Sequence, residues 1–251
     1  MAPPHLISHE SLTITPDFLT ADGFAPFGDV VACPLPANIN QIPSLTELPK
    51  NSRIPAVANQ NTALKYSAIS KSEDNYERKG RKPATPQMTL FSCFPRKLRP
   101  DKGKNIFDVR ILERHPYTTQ SFLPMGLSSG DDAPSYFLVI VAPTLEGQTA
   151  PAKVKDEHGI EQDTVVQNPP DLKNIKAFVA RGNQGVTYGA GTWHAPMVVL
   201  GTERVDFAVT QFANGIANDD CQEVTFEGGI VVEAQPAEPK LWSPRRERSR
   251  L

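Results

Sequence analysis

Two short blocks of the chain combine histidines with carboxylate and amide side chains that suit acid–base or metal chemistry. The first block contains Glu113, His115 and Gln120, and the second, Gly-Ala-Gly-Thr-Trp-His, ends in His194. Because alternate residues of a strand share a face, Glu113 and His115 should point the same way. A short turn after His115 returns Gln120 to that face, and the two glycines before His194 allow a tight turn. We therefore expect the four side chains to meet in one polar pocket.

These four side chains permit two kinds of chemistry. Histidine titrates near neutral pH, so His115 and His194 suit a base or an acid, and Glu113 could share that work. Alternatively, Glu113, His115, Gln120 and His194 could supply mixed nitrogen and oxygen ligands to a divalent metal such as nickel, manganese or zinc. A third interpretation makes the histidines packed structural residues and Glu113 half of a surface ion pair. The residue types alone leave these alternatives open.

The elements that carry these residues are predicted to be short β-strands. Proline is frequent, at 24 of 251 residues, and interior proline breaks helices. We expect a single all-β domain over residues 1–232, with about ten short strands closed as a barrel or double-sheet roll and few short helices. Apolar, β-branched runs typical of strands occur at 63–69, 88–94, 107–112, 136–142, 175–180, 186–188, 197–200, 205–212 and 222–226.

Three other segments have their own signals. Thr15 followed by Pro16 predicts the start of a short helix, with Thr15 as its N-cap. The polar, proline-punctuated stretch 144–174 predicts a surface insertion. Residues 233–251 are rich in proline and arginine and predict a flexible tail.

The composition argues against several function classes. A formal net charge of −2 provides no field that would attract nucleic acid or an anionic membrane. No apolar run approaches the ~20 residues of a membrane span, and the N-terminus lacks the basic-then-apolar pattern of a secretory signal. Three widely spaced cysteines, Cys33, Cys93 and Cys221, indicate reduced thiols in an intracellular compartment.

The spacing of the two blocks resembles the signature of cupin barrels. In cupins the first block is His-x-His-x3–4-Glu and the second is Pro-x-Gly-x2-His. Here Glu113 stands at the position of the first histidine and Gln120 at that of the glutamate. The resemblance implies a cupin-like β-barrel with a ligand pocket in its mouth. The two departures mean that a metal does not follow automatically.

Five further motifs follow one another between residues 18 and 227: Gly23-Phe24-x-x-Phe27-Gly28-Asp29-Val30, Glu113-Arg114-His115-Pro116-x-x-Thr119-Gln120-x-Phe122-x-Pro124-Met125, Gly182-x-x-Gly185-Val186-x-Tyr188, Trp193-His194-x-Pro196 and Val205-Asp206-Phe207. In this order they resemble the ureidoglycolate lyases, which are often labelled ureidoglycolate hydrolases. The resemblance implies that the insertion 144–174 and the C-terminal tail are additions to the compact bacterial form of the family.

This resemblance implies a reaction, the elimination of urea from (S)-ureidoglycolate to give glyoxylate, late in allantoin and purine breakdown. The reaction needs a base for the hydroxyl proton, an acid for the departing nitrogen and a cationic or N–H-rich contact for the carboxylate. The resemblance also implies a metal-assisted enzyme, with nickel mentioned for bacterial members, and a homodimer.

The candidate site residues follow from this chemistry. Lys65 is the most notable of the candidate carboxylate partners, because it stands between apolar residues on a predicted strand and could extend into the barrel. The Asp219-Asp220-Cys221 run is interpreted as a turn and not as a metal site. The candidate catalytic residues are His115, His194 and Glu113, the candidate substrate-binding residues are Gln120, Lys65, Tyr188 and Arg96, and the candidate metal ligands are Glu113, His115, Gln120 and His194.

Two other functions remain open at this point. One is hydrolysis of the amide of the same substrate, which would release ammonia and carbon dioxide. The chain lacks the His/Asp/Glu-rich dinuclear pattern expected of an amidohydrolase, which counts against it. The other is a non-catalytic, cupin-like protein that binds a small carboxylate.

The last three residues, Ser249-Arg250-Leu251, are a conservative variant of the Ser-Lys-Leu peroxisomal address, which an import receptor reads. This predicts a peroxisomal protein with that receptor as a partner. The alternative is an uninformative basic tail on a cytoplasmic protein.

Overall fold

The computed structural model describes residues 2–7, 11–35, 39–44, 48, 54–126, 135–182 and 184–235, and these are mostly β-strand. They also contain two short α-helices, α1 (Ala21–Phe24) and α2 (Ala217–Asp220), and two 3₁₀ turns, Glu77–Lys79 and Leu172–Asn174. The strands are β1 (His5–Leu6), β2 (Leu12–Ile14), β3 (Asp17–Phe18), β4 (Gly28–Val31), β5 (Ala56–Ala58), β6 (Ala63–Lys65), β7 (Thr85–Cys93), β8 (Arg99–Asp101), β9 (Lys104–Asp108), β10 (Ile111–Arg114), β11 (Gln120–Met125), β12 (Ser135–Ala142), β13 (Thr149–Lys155), β14 (Glu161–Gln167), β15 (Lys176–Arg181), β16 (Gly185–Tyr188), β17 (Trp193–His194), β18 (Val198–Gly201), β19 (Val205–Ala213), β20 (Gln222–Thr225) and β21 (Ile230–Glu233).

The described strands assemble into four sheets. The largest has ten strands in the order β14-β13-β1-β20-β10-β17-β12-β15-β3, with β18 also paired to β12. A five-stranded sheet has the order β4-β16-β11-β19-β7, and a four-stranded sheet has the order β2-β21-β9-β8. The fourth sheet is the small pair β5-β6. Most of the described strand pairings are antiparallel, and three, β1-β20, β3-β15 and β2-β21, are parallel.

Strand β12 is the central wall of the molecule, because it is buried on both faces. From Phe137 to Ala142 no residue is more than 1% exposed. Phe137, Val139 and Val141 pack against the five-stranded sheet, whereas Leu138 and Ile140 pack toward the four-stranded sheet. Full burial of such a side chain contributes about 1.5–3 kcal/mol. Because both faces of β12 are buried, this strand stabilises the contacts of its own sheet with both the five-stranded and the four-stranded sheet. The apolar run predicted as a buried strand is therefore confirmed.

The ten-stranded and five-stranded sheets face each other across an aromatic interior. The rings of Phe137 and Phe207, one from each sheet, lie 5.0 Å apart in an edge-to-face arrangement. Phe122 and Phe207 make a similar contact at 5.8 Å. Edge-to-face pairs are favoured by the charge distribution of the rings. This double-sheet architecture confirms the expected all-β, cupin-like fold.

Several local predictions need correction. The helix predicted at Thr15 is wrong: Asp17–Phe18 is the strand β3, and the helix starts later, with Thr20 accepting a hydrogen bond from Gly23 N at 3.2 Å. The predicted strand 107–112 is divided between β9 and β10, which belong to different sheets. In each case tertiary pairing overrides the local signal, because the backbone hydrogen bonds are completed by a distant strand.

Segment 144–174 is more regular than its polar composition suggests. Strands β13 and β14, each of seven residues, form an antiparallel hairpin, and β13 pairs with β1 to extend the ten-stranded sheet. Proline is tolerated at position 151 because it lies just beyond the two β13 residues paired with β1, and only its carbonyl is used there, accepting from Ile7 N at 3.4 Å. The segment is thus a β-hairpin built onto the sheet, and not an irregular loop.

Two further expectations concern the C-terminal tail and membrane-spanning helices. The tail predicted at 233–251 lies outside the described residues from position 236 onward. Among the residues that are described, no helix has the length and apolar character needed to cross a membrane.

Gly28 allows two strands to approach each other more closely than a side chain would permit. It begins β4 with φ +147°, opposite Tyr188 of β16. A Cβ atom at this position would lie 1.9 Å from the carbonyl oxygen of Thr187. Both the dihedral angle and the space therefore require glycine here.

We predict that Gly28→Ala lowers the free energy of unfolding by about 3 kcal/mol or more, because backbone strain and overpacking each cost about 1–3 kcal/mol. Denaturant unfolding of the purified protein measures the loss. The matched control is Gly147→Ala, which also has a positive φ (+72°) but no atom within 4 Å of the added Cβ. The control should lose only about 1 kcal/mol. Equal losses in the two variants would contradict the packing explanation.

Candidate active site

The site is formed by two rows of residues in register, one on each facing sheet. In the ten-stranded sheet Glu113 of β10 pairs with His194 of β17. In the five-stranded sheet Gln120 of β11 pairs with Tyr188 of β16 on one side and with Gln211 of β19 on the other. Because paired residues share a face, each row presents its side chains together. The two predicted blocks therefore meet across the interior of the barrel.

The carboxylate and the two imidazoles form a compact cluster. His194 Nε2 lies 3.4 Å from Glu113 Oε1, and the rings of His115 and His194 are 5.4 Å apart between centroids. One potential ligand atom from each of the three residues lies within 4.8 Å of the others. His115 and His194 are 6% and 1% exposed. The structure thus brings together three of the four residues predicted as metal ligands at distances that a single cation could bridge.

Both histidines use Nδ1 to bind a backbone carbonyl. His115 Nδ1 lies 2.6 Å from the carbonyl oxygen of Asp220, and His194 Nδ1 lies 3.0 Å from that of Thr192. A carbonyl oxygen can only accept a hydrogen bond, so Nδ1 carries the proton in each ring. In a neutral imidazole the Nε2 atom then offers a lone pair, and in both rings this lone pair faces the cluster.

The pocket contains buried polar atoms that lack hydrogen-bond partners. They are Nε2 of His115, Nε2 of His194, Oε1 of Gln120 and the hydroxyl of Tyr188. Leaving such an atom unsatisfied costs about 1–3 kcal/mol. The first three are acceptors, and the Glu113 carboxylate beside them is a fourth. A divalent cation, or a ligand with several N–H and O–H donors, would satisfy them together, so these residues fit a metal with mixed nitrogen and oxygen ligands.

The charges of the cluster favour an ionised Glu113 and a neutral His115. Burial alone would raise the pKa of Glu113, but the hydrogen bond and positive charge that His194 provides when protonated, followed by the charge of a protonated His115, outweigh burial and hold this pKa below its ordinary value. Burial lowers the pKa of His115, and the nearby His194 lowers it further, against the opposing effects of the Asp220 carbonyl, Glu113 and Gln120. At neutral pH His115 is therefore a base or a ligand and not an acid.

Tyr188 closes one wall of the pocket. Its ring stacks on that of His194, with centroids 3.9 Å apart and planes 11° from parallel. Burial, followed by the charge of Glu113, raises the pKa of Tyr188, so the hydroxyl stays protonated. Its buried hydroxyl can donate a hydrogen bond to a bound ligand. The structure places this predicted substrate-binding residue directly at the site.

Lys65 and Arg96, the two predicted cationic contacts, are not at the site. Lys65 is exposed and belongs to the small β5-β6 sheet, where it pairs with Ala56. The expectation that it extends into the barrel is wrong, because its strand ends there and joins neither facing sheet. The exposed Arg96 lies with its guanidinium 5.2 Å from the ring centroid of Phe107.

Asp220 is a functional residue that the sequence interpretation missed. Besides holding His115 through its carbonyl, it accepts hydrogen bonds at its carboxylate from the Tyr76 hydroxyl and from the backbone N–H groups of Asn214 and Gly215, each at 2.8 Å. The predicted turn at this position is the end of α2. The interaction with His115 spans 105 residues, so no local sequence signal could reveal it.

Arg114 connects the site to the hairpin formed by β13 and β14. It alternates with Glu113 and His115 along the chain, is 4% exposed and lies with its guanidinium 4.9 Å from the ring centroid of Trp193. It donates to the side chain of Gln222 at 2.7 Å and to the carbonyl oxygen of Gln167 in β14 at 3.2 Å. The surface ion pair with Glu113 considered above is therefore absent from this part of the structure.

Cys221 lies next to the cluster but remains a thiol. Its Sγ atom comes within 4.8 Å of carboxylate oxygens of Glu113 and Glu223. Burial, followed by these carboxylates and that of Asp220, raises the pKa of Cys221 to about 12. At neutral pH it is consequently not a nucleophile.

Comparison with known proteins agrees with this geometry. Residues 11–233 match the ureidoglycolate lyase family. The chain is 36% identical over 224 residues to a Schizosaccharomyces pombe protein named ureidoglycolate lyase, covering 89% of this chain and 96% of that protein. It is 32% identical over 230 residues to the Saccharomyces cerevisiae protein of the same name, with coverage of 88% and 97%. A Burkholderia mallei protein of that name is 32% identical over 200 residues, with coverage of 80% and 81%. The chain therefore belongs to the ureidoglycolate lyase family.

Proposed function

We propose that this protein eliminates urea from (S)-ureidoglycolate to give glyoxylate. The observation that carries the proposal is the cluster of Glu113, His115 and His194, together with the unpartnered Oε1 atom of Gln120 and hydroxyl of Tyr188, in a chain of this family. The pocket combines an ionised carboxylate with imidazole lone pairs and one hydroxyl donor. These are the groups that a carbinol-amide needs for base-assisted collapse to an aldehyde.

Glu113 is the base in this proposal. Its carboxylate, ionised because its pKa is lowered, accepts the hydroxyl proton of the substrate. The C–O bond then becomes the aldehyde C=O of glyoxylate, and the C–N bond breaks with its electron pair going to the ureido nitrogen. That nitrogen takes a proton and leaves as urea. Since the reaction consumes no net proton, Glu113 can return the proton that it removed.

The remaining site residues orient the substrate and supply further ligand atoms beside Glu113. His115 and His194 line the pocket beside the Glu113 carboxylate, and Tyr188 offers its hydroxyl to a substrate oxygen. His115, His194 and Gln120, with Glu113, are the residues that would hold a divalent cation. When bound, such a cation supplies positive charge that polarises the hydroxyl and carboxylate oxygens of the substrate. Family resemblance favours nickel, and the mixed ligand set also suits zinc or manganese.

Purified protein supplied with (S)-ureidoglycolate should release glyoxylate and urea in equal amounts, with no ammonia. Glu113→Gln keeps the shape of the side chain but removes the base, so we expect kcat to fall by about 10²–10⁴-fold. The matched control is Glu157→Gln, at an exposed position in the turn between β13 and β14, which should retain wild-type kcat. Thorough chelation should abolish turnover, and added Ni²⁺ should restore it.

The same assay separates the alternatives. Ammonia in place of urea would identify an amidohydrolase and overturn the lyase proposal. Glyoxylate formation that survives complete metal removal would exclude a role for the metal while leaving the lyase reaction in place. Unchanged kcat in Glu113→Gln would exclude Glu113 as the base.

We further propose that the protein is a homodimer that associates through β7. This nine-residue strand lies at the end of the five-stranded sheet, and its outer edge pairs with no other described strand. Its large apolar side chains are exposed: Met88 by 75%, Leu90 by 63% and Phe91 by 47%. Soluble monomers rarely leave a long, apolar edge strand uncovered. A second copy of the chain would cover it.

Leu90→Glu should convert the dimer to a monomer, because a charge at the centre of the interface would be buried without a partner. Light scattering coupled to gel filtration measures the molar mass. The control is Ile160→Glu, which alters an isoleucine that is 61% exposed in the turn between β13 and β14. This change should leave the dimer intact. A monomeric wild type, or a dimeric Leu90→Glu variant, would contradict the proposal.

We also propose that the last three residues direct the protein to peroxisomes through the import receptor. The support is the Ser249-Arg250-Leu251 sequence at the end of a basic tail. A fluorescent protein fused to the N-terminus of the full chain should enter peroxisomes of a eukaryotic cell, and removal of the three residues should leave it in the cytosol. Replacing Arg245 and Arg246 by alanine is the control and should not change the location. Import of the truncated chain would overturn the assignment.

A further inference from the structure

Three glutamines lie side by side across the five-stranded sheet. Gln120 of β11 is in register with Gln211 of β19, and Gln211 is in register with Gln87 of β7. Gln120 is buried at the site, Gln211 is half-buried and Gln87 is exposed. Gln211 thus stands directly behind Gln120, on the side away from Tyr188, and it has no role in the chemistry described above.

The contact between the first two glutamines sets the orientation of an amide. Gln120 Nε2 donates a hydrogen bond to Gln211 Oε1 at 2.6 Å. A primary amide has a donor end and an acceptor end, so holding Nε2 on one side places Oε1 on the other. Gln120 Oε1 is accordingly buried without a partner. It becomes one of the buried, unpartnered acceptors of the pocket, together with Nε2 of His115 and Nε2 of His194.

Without this restraint the amide of Gln120 could adopt the opposite orientation. His115 Nε2 is an unsatisfied lone pair, and the NH₂ group of a rotated Gln120 could donate to it. This hydrogen bond would give His115 Nε2 and the Gln120 NH₂ group a partner each. The pocket would then lose the ligand atoms Gln120 Oε1 and His115 Nε2, because an amide NH₂ does not bind cations. We propose that Gln211 is a positioning residue that prevents this rotation and keeps Gln120 Oε1 available to a divalent cation. The inference rests on the cation site described under the proposed function.

The test measures cation affinity and not only turnover. Metal-stripped, full-length protein is titrated with Ni²⁺ by calorimetry. Gln211→Leu removes the acceptor at similar size and should weaken Ni²⁺ binding about 10–100-fold, the usual effect of losing a group that orients a ligand. Gln211→Glu restores an acceptor for Gln120 Nε2 and should bind Ni²⁺ at least as tightly as the wild type. Gln87→Leu alters the exposed neighbour in the same row and should bind within about threefold of the wild type, the scatter expected where no contact is lost.

A double-mutant cycle distinguishes orientation from general damage to the fold. In the Gln120→Leu background no amide remains to be oriented, so Gln211→Leu should cause no further loss of Ni²⁺ affinity. Thermal unfolding of the same variants reports whether the fold is intact. Equal Ni²⁺ affinity of Gln211→Leu and the wild type, or an undiminished loss in the Gln120→Leu background, would overturn the inference.

Failure of this inference and failure of the proposed function give different results. A wild-type protein that binds no Ni²⁺ would overturn the role of Gln211. A wild-type protein that binds Ni²⁺ and shows the predicted cycle, but releases no glyoxylate from ureidoglycolate, would instead overturn the proposed reaction and leave the role of Gln211 standing.

Discussion

The pairing of Glu113 with His194 is the interaction on which the site depends. The strand that carries His194 is only two residues long and would have no stability alone. It is held between β10, through Glu113, and β12, through Val141. Since β12 is buried on both faces, the position of His194 is set by the packing of the whole interior. The polar site thus acquires its precision from the apolar core beneath it.

The backbone around this pairing settles the protonation of the site. The carbonyl oxygens of Thr192 and Asp220 accept hydrogen bonds from Nδ1 of His194 and His115, and this leaves both Nε2 atoms as unpartnered acceptors in the pocket. An arrangement in which acceptors converge without donors is unfavourable in isolation. It persists because the surrounding hydrogen bonds and the stacked Tyr188 ring restrain every member. Such preorganised acceptors are suited to a cation or to a substrate with many donors. Without a ligand they only destabilise the core, because buried acceptors without partners cost free energy.

How far the sequence predicts this structure depends on the range of each interaction. Strand alternation correctly places Glu113 beside His115, and a run of β-branched residues identifies β12, because both signals are local. Lys65 misleads because apolar neighbours indicate a strand without showing which sheet the strand joins. The roles of Asp220, at the end of α2, and of Gln211, in β19, depend on contacts with residues about a hundred positions away. Tertiary packing sets such contacts, so no spacing within one segment can reveal them.

Segment 144–174, which contains the β13-β14 hairpin, shows a second limit of prediction from sequence. Its sequence is polar, yet it supports the site through main-chain carbonyls. Asn168 accepts from the indole of Trp193 at 3.1 Å, and Gln167 accepts from Arg114 at 3.2 Å. A third contact runs the other way, from the Thr144 hydroxyl to the carbonyl of Gly191 at 2.5 Å. Backbone acceptors are independent of side-chain type, so the side chains of the hairpin can stay polar. The composition therefore predicts an irregular surface segment. In the structure the same segment forms a hairpin, and its hydrogen bonds hold residues close to Glu113 and His194 in place.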